Sequence, residues 1–201
     1  MWNVHGAYAF LAEESGATSV TGVDLVAETD AFRAERARRA SRMRFVRGDM
    51  HDATTIKAVG KHDVVFCAGV LYHTPSPLQT LTRLRELTGE LLIVGTATIP
   101  EVPGLEAACV FYPGLSDAGR RVYQAAPRRA LRVGISTPFD PVHIYDNWWW
   151  GISPSALRGM LITTGFEVVE MVSIPFFSAA VCRYVDDKEQ ADSGAGDSTL
   201  S

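Results

Sequence analysis

The chain has 201 residues, 47% hydrophobic and 21% charged, which supplies a sizeable core and excludes a disordered or fibrous polymer. A formal net charge of -4 sets up no global basic field, so non-specific polyanion binding is disfavoured. Cys67, Cys109 and Cys182 are odd in number and widely spaced, the pattern of reduced thiols in a cytoplasmic protein rather than of a disulfide or metal framework. No apolar run approaches the roughly 18 residues that span a bilayer, and no basic stretch with an apolar core opens the chain, so neither a membrane partner nor secretion is expected.

From His5 to Glu14 the apolar residues Ala7, Phe10 and Leu11 recur at helical spacing, and Ser15-Gly16 supplies a stop. Thr18 to Val23 is a short β-branched stretch that ends at Asp24. Ala27 to Ala40 is arginine-rich and helix-prone, after which Met43 to Arg47 alternates like a strand and Gly48-Asp49 breaks it. Asp52 to Val59 fits a short helix closed by Gly60, and Asp63 to Ala68 is a continuous apolar strand of the kind buried on both faces of a parallel sheet. Ser76-Pro77 then places an N-cap beside a first-turn proline, Leu78, Leu81, Leu84 and Leu87 line one helix face, and Gly89 is the expected stop before a strand at Leu91 to Val94.

Regular alternation lapses between residues 97 and 150, a variable insertion rich in Pro, Gly and aromatics with one basic helix-like piece from Asp117 to Arg132. Order resumes with Ser153-Pro154 opening a helix whose apolar face is Leu157, Met160 and Leu161 and whose stop is Gly165. Phe166 to Ile174 and Phe176 to Tyr184 read as two strands joined at Pro175. Residues 1–185 are therefore expected to form one domain, and residues 186–201, polar and Gly/Ser-rich, a disordered tail.

Alternating helix and strand implies an open, doubly wound α/β sheet, in which ligands bind beyond the carboxyl ends of the strands. The residues expected there, in a single pocket, are Asp24, Gly48-Asp49-Met50 and the stretch from Cys67 to His73. A carboxylate at Asp24 suits vicinal ribose hydroxyls, one at Asp49 suits an exocyclic amino group, and Met50 can pack on an aromatic ring; an adenosine would use all three. Read singly, each aspartate is also an ordinary turn residue after a strand.

Taken in order, Gly6-Ala7-Tyr8-Ala9-Phe10, Gly22-Val23-Asp24, Gly48-Asp49-Met50 and Phe66 to His73 resemble class I S-adenosylmethionine-dependent methyltransferases. Gly69-Val70-Leu71-Tyr72-His73 followed by Ser76-Pro77-Leu78, with Trp148-Trp149 ahead of a proline-started helix, further resembles the group that includes tRNA wobble-uridine carboxymethyl-transferring enzymes. The resemblance implies a Rossmann-like, mostly parallel sheet closed by a C-terminal antiparallel strand pair. It implies S-adenosylmethionine as cofactor, with Gly6 in a glycine-rich loop, Asp24 on the ribose, Asp49 and Met50 on the adenine, and Ala68-Gly69 as a further turn against it. It also implies a first central strand ahead of Gly6, which this sequence lacks; the expectation is an N-terminally truncated domain.

The expected reaction is methyl transfer by in-line displacement, and the alternative is a catalytically inactive interaction module that exposes its tryptophans. His73 is a candidate general base or substrate-orienting group, or a loop histidine held by a neighbour. Tyr72, Tyr145, Asn147, Trp148 and Trp149 are candidate substrate-binding residues, although the indoles can equally pack the insertion onto the sheet. Arg120, Arg121, Arg128, Arg129 and Arg132 offer a basic face or a solvated one, and the run from Arg33 to Arg44 reads as solvated. A small molecule and a tRNA both remain open as methyl acceptor.

Overall fold

The computed structural model describes residues 6–119, 121 and 139–185, which fall into two compact units, one ending at Lys61 and the other beginning at His62. Arg120, Arg128, Arg129 and Arg132 and the polar tail lie outside the described residues.

The first unit runs α1 (Ala7–Glu14), β1 (Thr21–Asp24), α2 (Asp30–Arg38), β2 (Arg44–Arg47) and α3 (Ala53–Val59). Strands β1 and β2 pair in parallel, with Thr21 opposite Arg44 and Asp24 opposite Arg47. Their core is aromatic: the Phe10 and Phe32 rings stack at 5.7 Å, Phe45 tilts against Phe32 at 5.7 Å, and Ala9 and Met43 complete the buried set. Gly6 caps α1 with φ +65°, and a Cβ there would lie 2.6 Å from Phe32 Cε2 and 2.7 Å from Phe10 Cε2. Both the left-handed backbone and the close rings require glycine at this position.

Helix α2 starts at Thr29, whose Oγ1 accepts from Phe32 N at 3.1 Å. Its arginines form an ion-paired face: Arg38 makes two hydrogen bonds to Glu35 at 2.7 and 2.6 Å, Arg39 meets Glu35 and Glu14, Arg36 meets Glu28 and Arg33 meets Asp30. The two guanidinium groups hold the Glu35 carboxyl down to about 2. This is the solvated face expected of the arginine run, neutralised by its own acidic neighbours.

The second unit runs β3 (His62–Ala68), α4 (Pro77–Leu87), β4 (Thr88–Ala97), β5 (Cys109–Phe111) and β6 (Trp150–Ile152). It ends with a helix labelled α5 here (Pro154–Thr163), then β7 (Phe166–Ile174) and β8 (Phe177–Tyr184). The main sheet has the order β3-β4-β8-β7; β3 and β4 are parallel, and β8 is antiparallel to both β4 and β7. The expected C-terminal antiparallel strand pair is therefore present, on a sheet that is mixed. Leu81 from α4, Leu92 from β4 and Leu157 and Leu161 from α5 are fully buried in this unit. Ser153 caps α5 by accepting from Ala156 N at 3.2 Å, ahead of the first-turn proline.

Four details differ from the sequence expectation. Leu78 is 46% exposed, because the buried face of α4 runs through Pro77, Thr80, Leu81, Leu84 and Leu87 instead. Gly89 does not end that helix but lies inside β4, where a Cβ would come within 3.1 Å of the His62 carbonyl oxygen. Strand β3 is not buried throughout: among the described residues it is paired along one edge only, to β4, and Val64 is 51% exposed. Of the three thiols, Cys67 and Cys182 are buried, but Cys109 is exposed on the short strand β5. Strands β5 and β6 pair antiparallel, so the insertion carries a small sheet of its own.

Leu92 sits on β4, which is bonded along both edges, and is 0% exposed. Leu92→Ala is expected to cost about 2–5 kcal/mol through lost burial and a residual cavity, read as a lower urea midpoint at unchanged slope.

Candidate functional site

In the first unit, β1 and β2 end side by side. Asp24 closes β1, and its Oδ1 accepts from Val26 N at 3.0 Å; Asp49 follows β2, and its Oδ1 accepts from His51 N at 2.8 Å. Each carboxylate is thus set by a local turn onto a backbone N–H two residues ahead. Because Asp24 faces Arg47 across the parallel ladder and Gly48 N donates to Asp24 O at 2.9 Å, the two acidic residues stand at one end of the strand pair. Gly48 is required by packing, since a Cβ there would lie 2.3 Å from Thr55 Oγ1 on α3. Met50 follows, half-buried. Leu25 and Val26, which the sequence reading passed over, leave apolar side chains 40% and 66% exposed directly after Asp24.

In the second unit, β3 ends at Ala68 and the chain turns through Gly69, whose φ is +72° and whose N–H donates to Gly95 O at 2.9 Å. A single helical turn over Leu71–His73 follows. Leu71 is fully buried and anchors the turn; Tyr72 is 9% exposed, and burial pushes its phenol up from the ordinary value. His73 Nδ1 lies 2.8 Å from the carbonyl oxygen of Asn147. A carbonyl only accepts, so Nδ1 carries the hydrogen. Burial holds the His73 imidazole below its ordinary value, against the opposing pull of this hydrogen bond and of the Asp146 carboxylate.

The structure brings Tyr72, His73, Asn147 and Trp148 together. The Tyr72 ring is 4.2 Å from that of His73 and 4.4 Å from that of Trp148, and Tyr112, missed by the sequence reading, stands edge-on to Trp148 at 5.9 Å. Ala97 closes the cluster. The consecutive tryptophans diverge in role. Trp148 is 5% exposed, and its buried Nε1 has no hydrogen-bond partner among the described residues. Trp149 donates from Nε1 to Ile144 O at 2.7 Å and meets Phe139 edge-on at 5.0 Å, while Trp150 donates to Pro75 O at 3.0 Å. These residues pack the insertion onto the turn after β3 and do not present the exposed tryptophan patch of a binding module.

Asn147 is 1% exposed, and its side-chain amide is engaged within its own loop: Nδ2 donates to Asp140 O at 2.6 Å, His143 O at 3.1 Å and Ile144 O at 3.3 Å, and Oδ1 accepts from Asp140 N at 2.8 Å. The amide of this candidate substrate-binding residue is turned to the protein. Tyr145 lies half-buried in the same loop. Among the described residues no group of histidine, cysteine, aspartate or glutamate side chains has the grouping of a metal site.

Residues 4–89 match the model of a family described as a methyltransferase domain. A 1,6-didemethyltoxoflavin-N1-methyltransferase from Burkholderia thailandensis, solved with bound S-adenosylhomocysteine, superposes with a TM-score of 0.58 over 92% of this chain and 68% of that one, at 14% identity. This chain has the methyltransferase fold. A magnesium protoporphyrin IX methyltransferase from Synechocystis, also bound to S-adenosylhomocysteine, gives a TM-score of 0.56 at 18% identity over 90% of this chain and 70% of that one. An S-adenosylmethionine-dependent methyltransferase from Mesorhizobium loti gives 0.52 at 14% identity over 89% and 86%. No curated protein matches in sequence. No helix among the described residues is long and apolar enough to cross a membrane.

Gly48→Ala is expected to destabilise the methyltransferase fold by about 1–3 kcal/mol by overpacking against Thr55. The double variant Gly48→Ala, Thr55→Ala removes the opposing atoms and should cost less than the two single changes added together, measured as a denaturant double-mutant cycle.

Proposed function

We propose that the chain transfers the methyl group of S-adenosylmethionine to a small, planar acceptor in the cytoplasm, by in-line displacement. The observation that carries this reading is the pair of carboxylates, Asp24 and Asp49, fixed by local turns at the carboxyl ends of adjacent parallel strands in a chain with the methyltransferase fold. Their chemistry fits the cofactor. A carboxylate accepts hydrogen bonds at both oxygens, which suits the two ribose hydroxyls at Asp24 and an exocyclic amine at Asp49. Exposed Leu25 and Val26, with Met50, supply apolar surface for an adenine ring. Gly6, whose backbone is left-handed, is the remaining position of the first unit assigned to it.

The bound cofactor supplies an electrophilic methyl on sulfur; the chain's own work is to orient the acceptor, exclude water and receive a proton. In this reading His73, whose ring lies beside those of Tyr72 and Trp148, receives that proton. Tyr72, Trp148 and Trp149 are the aromatic residues assigned to a planar acceptor, in accord with the 1,6-didemethyltoxoflavin and magnesium protoporphyrin IX named for two of the neighbours above. The likeness of Gly69–His73 to the tRNA-modifying group gives tRNA as the second acceptor class. The small molecule is favoured because the arginines of α2 are neutralised by Glu14, Glu28, Asp30 and Glu35, which leaves no basic stripe on that helix.

Titration calorimetry with S-adenosylhomocysteine tests the reading. Saturable binding is expected, with Asp24→Ala weakening it by about 10- to 150-fold, the loss of charge-assisted hydrogen bonds worth about 1.5–3 kcal/mol. No heat from a folded chain at millimolar ligand would overturn it.

A further inference from the structure

We infer that Asn147 is a positioning residue: its buried amide gathers residues 140–147 into a rigid loop that holds the Asn147 carbonyl against His73 Nδ1, fixing the imidazole in the Nδ1–H tautomer with Nε2 as its basic atom. The inference rests on the methyl-transfer reading for its purpose but on the loop geometry for its content.

Four hydrogen bonds converge on one side chain that is 1% exposed, and three of them are to backbone carbonyls of the loop it closes. Buried amides left without those partners carry a desolvation cost, so the loop has one favoured conformation. The same loop is tied to the His73 turn at a second point, where Trp149 N donates to Tyr72 O at 2.8 Å, and at a third, where Trp150 Nε1 donates to Pro75 O at 3.0 Å. The imidazole is therefore clamped from both sides: by the turn that carries it and by the carbonyl that accepts its proton. Tyr72 and Trp148 restrict the ring further, at 4.2 Å and 6.2 Å between centroids. Among the described residues nothing hydrogen-bonds Nε2.

The titratable groups around the ring are Tyr72, whose hydroxyl stays protonated near neutrality, and Asp146 on the same loop. Burial outweighs the Asp146 charge and the carbonyl bond, which keeps the ring neutral at neutral pH and its Nε2 lone pair available. A base held this way serves an acceptor that begins as a neutral O–H or N–H. Its proton passes to Nε2, its lone pair forms the new bond to the methyl carbon, and the carbon–sulfur pair departs on sulfur as a neutral thioether.

The test is nitrogen NMR of the whole chain labelled at histidine, with His73→Gln identifying the His73 signals. The wild type is expected to show a single neutral tautomer protonated at Nδ1, titrating below the ordinary histidine value of about 6.5. Asn147→Ala is expected to give a mixture of tautomers and a shifted midpoint, while the second-unit core stays folded. Asn147→Ser, a smaller perturbation, should move both signatures in the same direction if the alanine variant loses its fold. An Nε2–H tautomer in the wild type, or a folded Asn147 variant with unchanged tautomer and midpoint, would overturn the assignment. The readout needs neither cofactor nor acceptor, so its failure is distinct from a failure to bind S-adenosylhomocysteine.

Discussion

From Leu91 to Gly95, β4 is hydrogen-bonded along both edges, in parallel to β3 and antiparallel to β8, and this double ladder sets the position of the turn that follows β3. Register is what transmits the constraint. Ala68 is held opposite Gly95, and Gly69 donates to the Gly95 carbonyl, so the chain leaves the sheet at a fixed point. Burial of Leu71 then decides how the helical turn sits, and that turn delivers Tyr72 and His73 as neighbours. A one-residue slip of β3 would exchange its two faces and carry the His73 turn away from the loop that holds it.

The same economy operates in the first unit with different means. There the strands are only four residues long, and what fixes their ends is the aromatic packing beneath them. Phe10 and Phe32 leave no room for a side chain at Gly6, and Thr55 leaves none at Gly48. Gly48, directly before Asp49, therefore answers to a steric demand from α3, and that acidic turn inherits its placement from packing against the helix.

Much of this was legible in the sequence wherever one residue type has one physical use. Ser153-Pro154 announced α5, the continuous apolar run marked β3, and Pro175 marked the hairpin between β7 and β8, because caps, burial patterns and turn residues act over a few positions. Asp24 and Asp49 could be placed at strand ends for the same reason. The insertion was opaque because its order is long-range: β5 and β6 are three residues each and are defined only by pairing across some forty positions of chain. Asn147 shows the limit most clearly. Its partners are backbone carbonyls, which every residue carries, so no pattern of side chains distinguishes an amide that faces substrate from one that closes a loop. Leu78 and Gly89 were misplaced for a related reason, since the period of α4 and its direct passage into β4 depend on what packs against them.

The three adjacent indoles also have a consequence for observation. Of the four tryptophans in the chain, three occupy positions 148–150, and each meets a different environment: one fully enclosed with an unshared N–H, one bonded to the Ile144 carbonyl, one bonded to the Pro75 carbonyl. Emission from this protein is therefore weighted toward a single stretch of backbone, the stretch that also carries the carbonyl bonded to His73. The chain contains its own optical reporter beside the loop bonded to His73, with no label added.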